Sequence, residues 1–329
     1  MKKFLAVFMA AIFVFAFAAC GGETESASDS GSSAADAEEK YVVGICQLVQ
    51  HEALDKATQG FKDALTQELG DAVEFDEQNA SGESVNCTTI INGFVAKDVD
   101  LIMANATPAL TAAAAGTDTI PILGTSVTSY AVALEISDWT GTVGGNISGT
   151  SDIADLAEQA ALFPQWLPEA KNIGLVYCSA EANSVFQVEE IEKELAKLGL
   201  NTQRFAFTDT NDVTSVVQAA CDASDAIYIP TDNTAASNAE AISNVVIPAK
   251  TPVIAGEVSI CQGCGIATVS IDYYDLGVAT GKMAAKILTG ESDIATMPIE
   301  YAPNLTKFYN ATICETLGIT PVEGFEAIQ

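Results

Sequence analysis

A chain of 329 residues is about twice the length of a typical single domain, so two packed lobes are the expectation and one small domain is excluded. Asp and Glu total 44 against 14 Lys and Arg, a formal net charge of -30, and a field of that sign repels phosphate backbones and excludes nucleic-acid binding. With 49% hydrophobic and 18% charged residues the chain can bury a large core, and its one arginine, Arg204, disfavours bidentate clamps and favours a neutral or zwitterionic ligand.

Lys2 and Lys3 precede an apolar run from Phe4 to Ala19, the pattern of a secretory signal peptide over residues 1–19. The run ends in Phe17-Ala18-Ala19-Cys20-Gly21, which resembles the lipobox of bacterial lipoproteins and implies lipidation of Cys20. From there to residue 39 the chain is mostly Ser, Ala, Gly, Asp and Glu without periodicity, too polar to offset ordering, and reads as a tether. No later run reaches the roughly 18 apolar residues of a membrane helix. The expected product is exported and anchored by lipid to the outer face of the cell membrane.

Lys40 to Gln47 reads as a strand, and Leu54, Ala57, Phe61, Ala64 and Leu65 recur at helical spacing up to Gly70. Leu101-Ile102-Met103-Ala104 and Pro121 to Thr128 follow as strands. The same grammar restarts at Asn172 to Tyr177, followed by a helix lined by Val188, Ile191, Leu195 and Leu198, stopped by Gly199, with Asn183 or Ser184 as N-cap. Ala226 to Ile229 and Pro252 to Ser259 complete the parallel. Short apolar strands alternating with helices specify buried parallel sheets, hence an α/β fold of two doubly wound lobes.

In such sheets the ligand crevice lies at the carboxyl ends of the strands. Those ends are Gln47 to His51, Thr107 and Thr125 to Thr128 in the first half, and Ser179 to Ser184 (with Glu181, Asn183 and Ser184), Thr231 to Asn233 (with Asp232) and Gly256 to Glu257 in the second. Hydroxyls, amides and single acids of this kind hydrogen-bond a small polar molecule.

Gly44-Ile45-Cys46-Gln47-Leu48-Val49-Gln50-His51-Glu52-Ala53-Leu54-Asp55, Glu181-Ala182-Asn183-Ser184, Pro230-Thr231-Asp232-Asn233 and Ile271-Asp272-Tyr273-Tyr274-Asp275-Leu276-Gly277 together resemble the ABC-transporter substrate-binding lipoproteins of the tryptophan/tyrosine-binding family over residues 40–329. The resemblance implies the type I periplasmic-binding architecture with crossing hinge strands, a permease as partner, and a small zwitterionic ligand, most simply an aromatic amino acid. It places the crossings near Gly145, Tyr273 and Tyr301. The N-terminal lobe is then 40–145 plus 274–300, and the C-terminal lobe 146–273 plus 301–329. Tyr273, at a crossing, joins the expected ligand contacts, and a monomer is expected.

Asp232 suits a ligand ammonium by a charge-assisted hydrogen bond, against the alternative of an N-cap, and Glu257 is a second acid or a loop residue. Thr107, Ser126 and Thr128 can receive a carboxylate or serve turn chemistry. Asn183 is suited to bond the ligand and Ser184 to cap. His51 is the one histidine, structural or ligand-contacting. No Gly-x-Ser-x-Gly elbow, dinucleotide fingerprint or P-loop occurs, so no enzyme, cofactor or metal is expected. Seven cysteines besides Cys20 cannot all pair. Cys261-x-x-Cys264 reads as a local disulfide or two thiols, while Cys46, Cys178 and Cys221 read as small buried hydrophobes. Trp139 and Trp166 are assigned to packing. A sensing receptor, and a binder of a nucleoside or sugar, are the alternatives.

Overall fold

The computed structural model describes residues 40–302 and 304–328. The signal peptide, Cys20 and the tether lie outside them. The first half runs β1 (Tyr41–Gln47), α1 (Glu52–Leu69), β2 (Val73–Asn79), α2 (Ser84–Lys97), β3 (Leu101–Asn105), α3 (Thr107–Gly116), β4 (Ile122–Val127), α4 (Tyr130–Ala133) and β5 (Ile147–Ser151). The second runs α5 (Leu156–Trp166), β6 (Asn172–Cys178), α6 (Ala182–Lys197), β7 (Asn201–Phe207), α7 (Val213–Ala223), β8 (Ala226–Ile229), α8 (Asn233–Ser237), α9 (Ala239–Ala249), β9 (Val253–Ala255), α10 (Val258–Cys264) and β10 (Ala267–Ser270). The chain then returns through α11 (Tyr273–Leu288), β11 (Glu300–Tyr301), β12 (Thr306–Tyr309), α12 (Ala311–Leu317) and β13 (Glu326–Ala327).

Among the described residues the first sheet has the order β11-β5-β4-β3-β1-β2 and the second β13-β12-β10-β9-β8-β6-β7. Leaving aside the additions at one edge, both follow one topology. The first strand of each half lies between its second and third, with the fourth and fifth beyond, which is the doubly wound order. The ladders are parallel apart from β12, which runs antiparallel to β10. Strands β3 and β4 are buried at every position, because helices cover both faces of each sheet. Leu54, Phe94, Ile102 and Leu110 fill one face of the first sheet, and Phe61, Leu65, Met103 and Met283 the other. Fully burying a side chain of this size contributes about 1.5–3 kcal/mol.

Two boundaries differ from the sequence-based expectation. Strand β5 pairs with β4, so the first crossing follows Ser151 rather than Gly145, and Tyr301 pairs with Ser151 in the first sheet. The stretch Gly145-Asn146-Ile147-Ser148-Gly149-Thr150-Ser151 has one strongly apolar residue, so its strand character comes from ladder bonds and not from an apolar pattern. Helix α11, reached after the second crossing, lies against α1 through Gly60 and Gly277. A Cβ on Gly277 would overlap the Ala57 carbonyl oxygen, and one on Gly60 the Tyr274 carbonyl oxygen. The two glycines thus set the approach that returns the chain to the first lobe.

Candidate functional site

The carboxyl ends of both sheets face one cleft, and the side chains there divide by whether their hydrogen-bonding capacity is already used. In the second sheet most of it is. Asp232 is fully buried and caps α8: it accepts from the Ala235 N–H at 2.8 Å and from the Cys178 N–H at 2.6 Å. Glu257 caps α10, accepting from the Ser259 N–H and hydroxyl and from the Ile260 N–H. Glu181 accepts from the backbone N–H groups of Asn233 and Thr234, from the Thr234 hydroxyl at 2.7 Å and from Asn233 Nδ2 at 2.7 Å. Of the two readings weighed for Asp232, the geometry is therefore that of the cap. Asn183 and Ser184 do not cap α6 as expected. Glu181 occupies the N-cap position, without a side-chain cap bond, and both lie inside the helix, where Asn183 Nδ2 donates to the Thr231 carbonyl. Thr231 in turn donates its N–H to Gln187 Oε1. In the first half Gln47 is equally committed, donating to Asp55 and Val49 and accepting from Thr58.

Four of the expected residues keep unused capacity. Thr107 Oγ1, Ser126 Oγ, Asn183 Oδ1 and His51 Nδ1 are buried atoms without a hydrogen-bond partner. A buried polar atom left unpaired costs about 1–3 kcal/mol, and a ligand in the cleft can supply the missing partner. The backbone that carries two of them is strained in the same place. Ser126 has φ 54° and Ala106, just before Thr107, has φ 91°, a region that L-residues seldom adopt. At Ser126 the β4–β5 register shifts between Gly124 and Val127, a bulge that turns the serine out of the ladder.

The sequence reading missed Asp152. This carboxyl group follows β5, is 3% exposed, and accepts from Thr128 Oγ1 at 3.0 Å and from the Tyr273 hydroxyl at 3.2 Å. Burial pushes its pKa up to about 6; the bonds from Thr128 and Tyr273 pull the other way, and the Glu257 charge adds to the rise. Burial, reinforced by the Glu181 charge, raises Asp232 to about 7. Asp152 could have been found by the rule that singled out Asp232, an acid at a strand's carboxyl end, had β5 been recognised as a strand. Around it the two halves meet. Gln187 Nε2 donates to Thr128 Oγ1 at 3.2 Å, and His51 Nε2 lies 3.3 Å from Asn233 Oδ1. A groove of about 320 Å³ opens beside these contacts, lined by Val49, Ser84, Glu181, Asp209 and Asn233 among others.

Of the cysteines, Cys178 lines this groove. The seven within the described residues are free thiols, and Cys261 and Cys264 lie buried on α10. No cluster of metal-ligating side chains occurs among the described residues, nor a helix long and apolar enough to cross a membrane. Trp166 packs edge-on against Phe325 at 5.0 Å.

The family model "ABC transporter substrate binding protein" matches residues 42–327. A curated relative, the tyrosine-binding protein of Clostridioides difficile (strain R20291), is 32% identical over 302 residues, covering 91% of this chain and 87% of that one. A Streptococcus pneumonia ABC domain in complex with L-Trp superposes with a TM-score of 0.84 at 33% identity, covering 88% of this chain and 100% of the other. The ligand-free, open structure of a substrate binding protein with adhesive properties from Clostridium difficile gives 0.67, also at 33% identity, covering 88% and 99%. At equal identity the present structure follows the L-Trp complex more closely than the open form. Solute-binding structures at 15% identity share the fold. The family comprises extracytoplasmic solute-binding proteins and not enzymes, and this chain belongs to it: it is an ABC transporter substrate-binding protein with the two-lobed type I periplasmic-binding fold.

Proposed function

We propose that this protein binds an aromatic amino acid, tyrosine or tryptophan, between its lobes and hands it to an ABC permease while anchored by lipid at Cys20. The observation that carries the reading is the pairing of one buried cleft carboxyl group with orphaned hydroxyls, in a chain that has a single arginine. Asp152 holds the ammonium, with Thr128 and Tyr273 fixing its orientation. Thr107 and Ser126 donate to the ligand carboxylate, and Asn183 Oδ1 accepts from the ammonium. The relatives named for tyrosine and bound to L-Trp support the choice of ligand.

The moving bodies in this reading are residues 40–152 with 273–301, and residues 153–272 with the segment from 306. Closure forms the contacts from Gln187 to Thr128 and from His51 to Asn233, and the closed form is what the permease recognises. Calorimetric titration with tyrosine, tryptophan, phenylalanine, nucleosides and sugars tests the ligand. Binding of tyrosine or tryptophan in preference to the nucleosides and sugars is expected, and binding of a sugar alone would refute the reading. For the anchor, Cys20→Ser should move the exported protein out of the detergent phase, and unchanged partitioning would refute lipidation.

A further inference from the structure

We infer that His51 is a specificity residue whose bare Nδ1 accepts a hydrogen bond from the ligand's ring donor, the phenol O–H of tyrosine or the indole N–H of tryptophan. The inference rests on the binding reading above and adds which end of the ligand is inspected, and by what.

The chemistry follows from a chain of three side chains. The Glu181 carboxylate accepts from Asn233 Nδ2 at 2.7 Å, which fixes the orientation of the Asn233 amide because a carboxylate offers no proton in return. That leaves Asn233 Oδ1, an acceptor, facing His51 Nε2 at 3.3 Å. Two acceptors cannot bond, so Nε2 carries the proton. In a neutral imidazole the other nitrogen is then an unprotonated acceptor. Nδ1 is that atom, buried and without a partner. The ring is held from both sides of the cleft, since His51 precedes α1 of the first half while Asn233 and Glu181 belong to the second.

Position agrees with chemistry. Along the first sheet, β5 is followed by β4, β3 and β1, so Asp152, Ser126, Thr107 and His51 stand in that order along one edge. Three inter-strand spacings of about 4.8 Å put the His51 loop roughly 14 Å from Asp152. A zwitterionic head, an aromatic ring and its polar tip, with a hydrogen bond of about 2.8 Å at each end, span a distance of that order. The head binds at β5 to β3 and the ring donor ends at β1. Phenylalanine places the same ring there but stops short of His51 and leaves Nδ1 unpaired, and an unpaired buried acceptor is the stronger ground for rejecting a ligand.

The protein holds one histidine, so ¹⁵N-histidine labelling reports His51 alone. Long-range ¹H–¹⁵N spectra of the wild type at pH 7.5 should show the Nε2–H tautomer. Tyrosine or tryptophan should shift the Nδ1 resonance in the direction of hydrogen-bond acceptance, and phenylalanine should not. In parallel, calorimetry should give at least about a tenfold preference for tyrosine over phenylalanine in the wild type, reduced to within about threefold in His51→Leu. An Nδ1–H tautomer or an imidazolium in the tyrosine complex would overturn the inference, as would a preference that survives in His51→Leu. If no aromatic amino acid binds the wild type, the binding reading itself fails and the inference with it, an outcome distinct from binding without discrimination. The wild-type spectra decide the tautomer even if the variant does not fold.

Discussion

The two sides of the cleft are built to one topology and furnished with similar residue types, yet they do different work. On the second-sheet side Glu181, Asp232 and Glu257 are each saturated by their own neighbourhood, two of them as helix caps. Thr107 and Ser126 on the first-sheet side have no protein partner, and Asp152 is gripped by two hydroxyls rather than by backbone amides. The short helices explain the contrast. α8 has 5 residues and α10 has 7, too few to be stable without a strong cap, so each recruits the acid at its start. Helix α3, with 10 residues and a proline in its first turn, has no side-chain cap bond and leaves Thr107 available. An acid at a strand end is therefore a ligand residue only after the helix that follows has taken its share.

The largest expected effect breaks this contrast at Asp152. Asp152→Asn should weaken tyrosine or tryptophan binding by about 2–5 kcal/mol, because the ammonium enters a closed cleft without its counter-charge. Asp232→Ala should instead lower unfolding stability by about 1–3 kcal/mol in denaturant titrations, from the lost cap and the unpaired Cys178 N–H, with affinity within threefold of wild type. A large affinity loss at Asp232 with intact stability would return that residue to the site.

Proton linkage sharpens the same comparison. Asp152 and Asp232 both bind a proton more tightly folded than unfolded, with folded pKa values of about 6 and about 7 against 3.8. The native state then holds more protons than the unfolded state between those values, so the ligand-free protein should lose stability as pH rises from about 4 to 7. Melting temperatures that rise over this range would contradict the burial of both groups. Smaller effects come from the orphaned hydroxyls. Thr107→Val and Ser126→Ala should each weaken binding by about 0.5–1.5 kcal/mol, while the ligand-free protein melts no earlier. The smallest is expected at Cys261 and Cys264. Their joint replacement by Ser should leave affinity within a few-fold, and loss of binding in a variant that still melts cooperatively would mean that α10 shapes the site.

The doubly wound halves were legible because buried parallel strands such as Leu101–Asn105 and Ala226–Ile229 are written as apolar runs, repeated in the same order. Strand β5 was not, since Ser148, Gly149, Thr150 and Ser151 carry a ladder without an apolar signature. Asp152 was lost with it. Positions of candidates were legible at strand ends, but their spare capacity was not. Whether Glu257 meets a ligand or the Ser259 and Ile260 amides depends on a cap geometry that spacing alone does not encode. His51 shows the same limit: its place in the crevice loop was readable, whereas its tautomer depends on Asn233 and Glu181, more than 100 residues away.

The central claim is that the cleft carboxyl group of Asp152 carries the ligand ammonium. Calorimetric titration of tyrosine across pH 4.5 to 8 tests it most directly, in the wild type and in Asp152→Asn. Only the carboxylate pairs with the ammonium. Wild-type affinity should be level above about pH 6 and fall up to about tenfold per pH unit below it, as the proton and the ligand compete for one group. The variant should bind weakly with no break near pH 6. A wild-type profile that stays flat through pH 6, or a break that persists after Asp152 is replaced, would contradict the account.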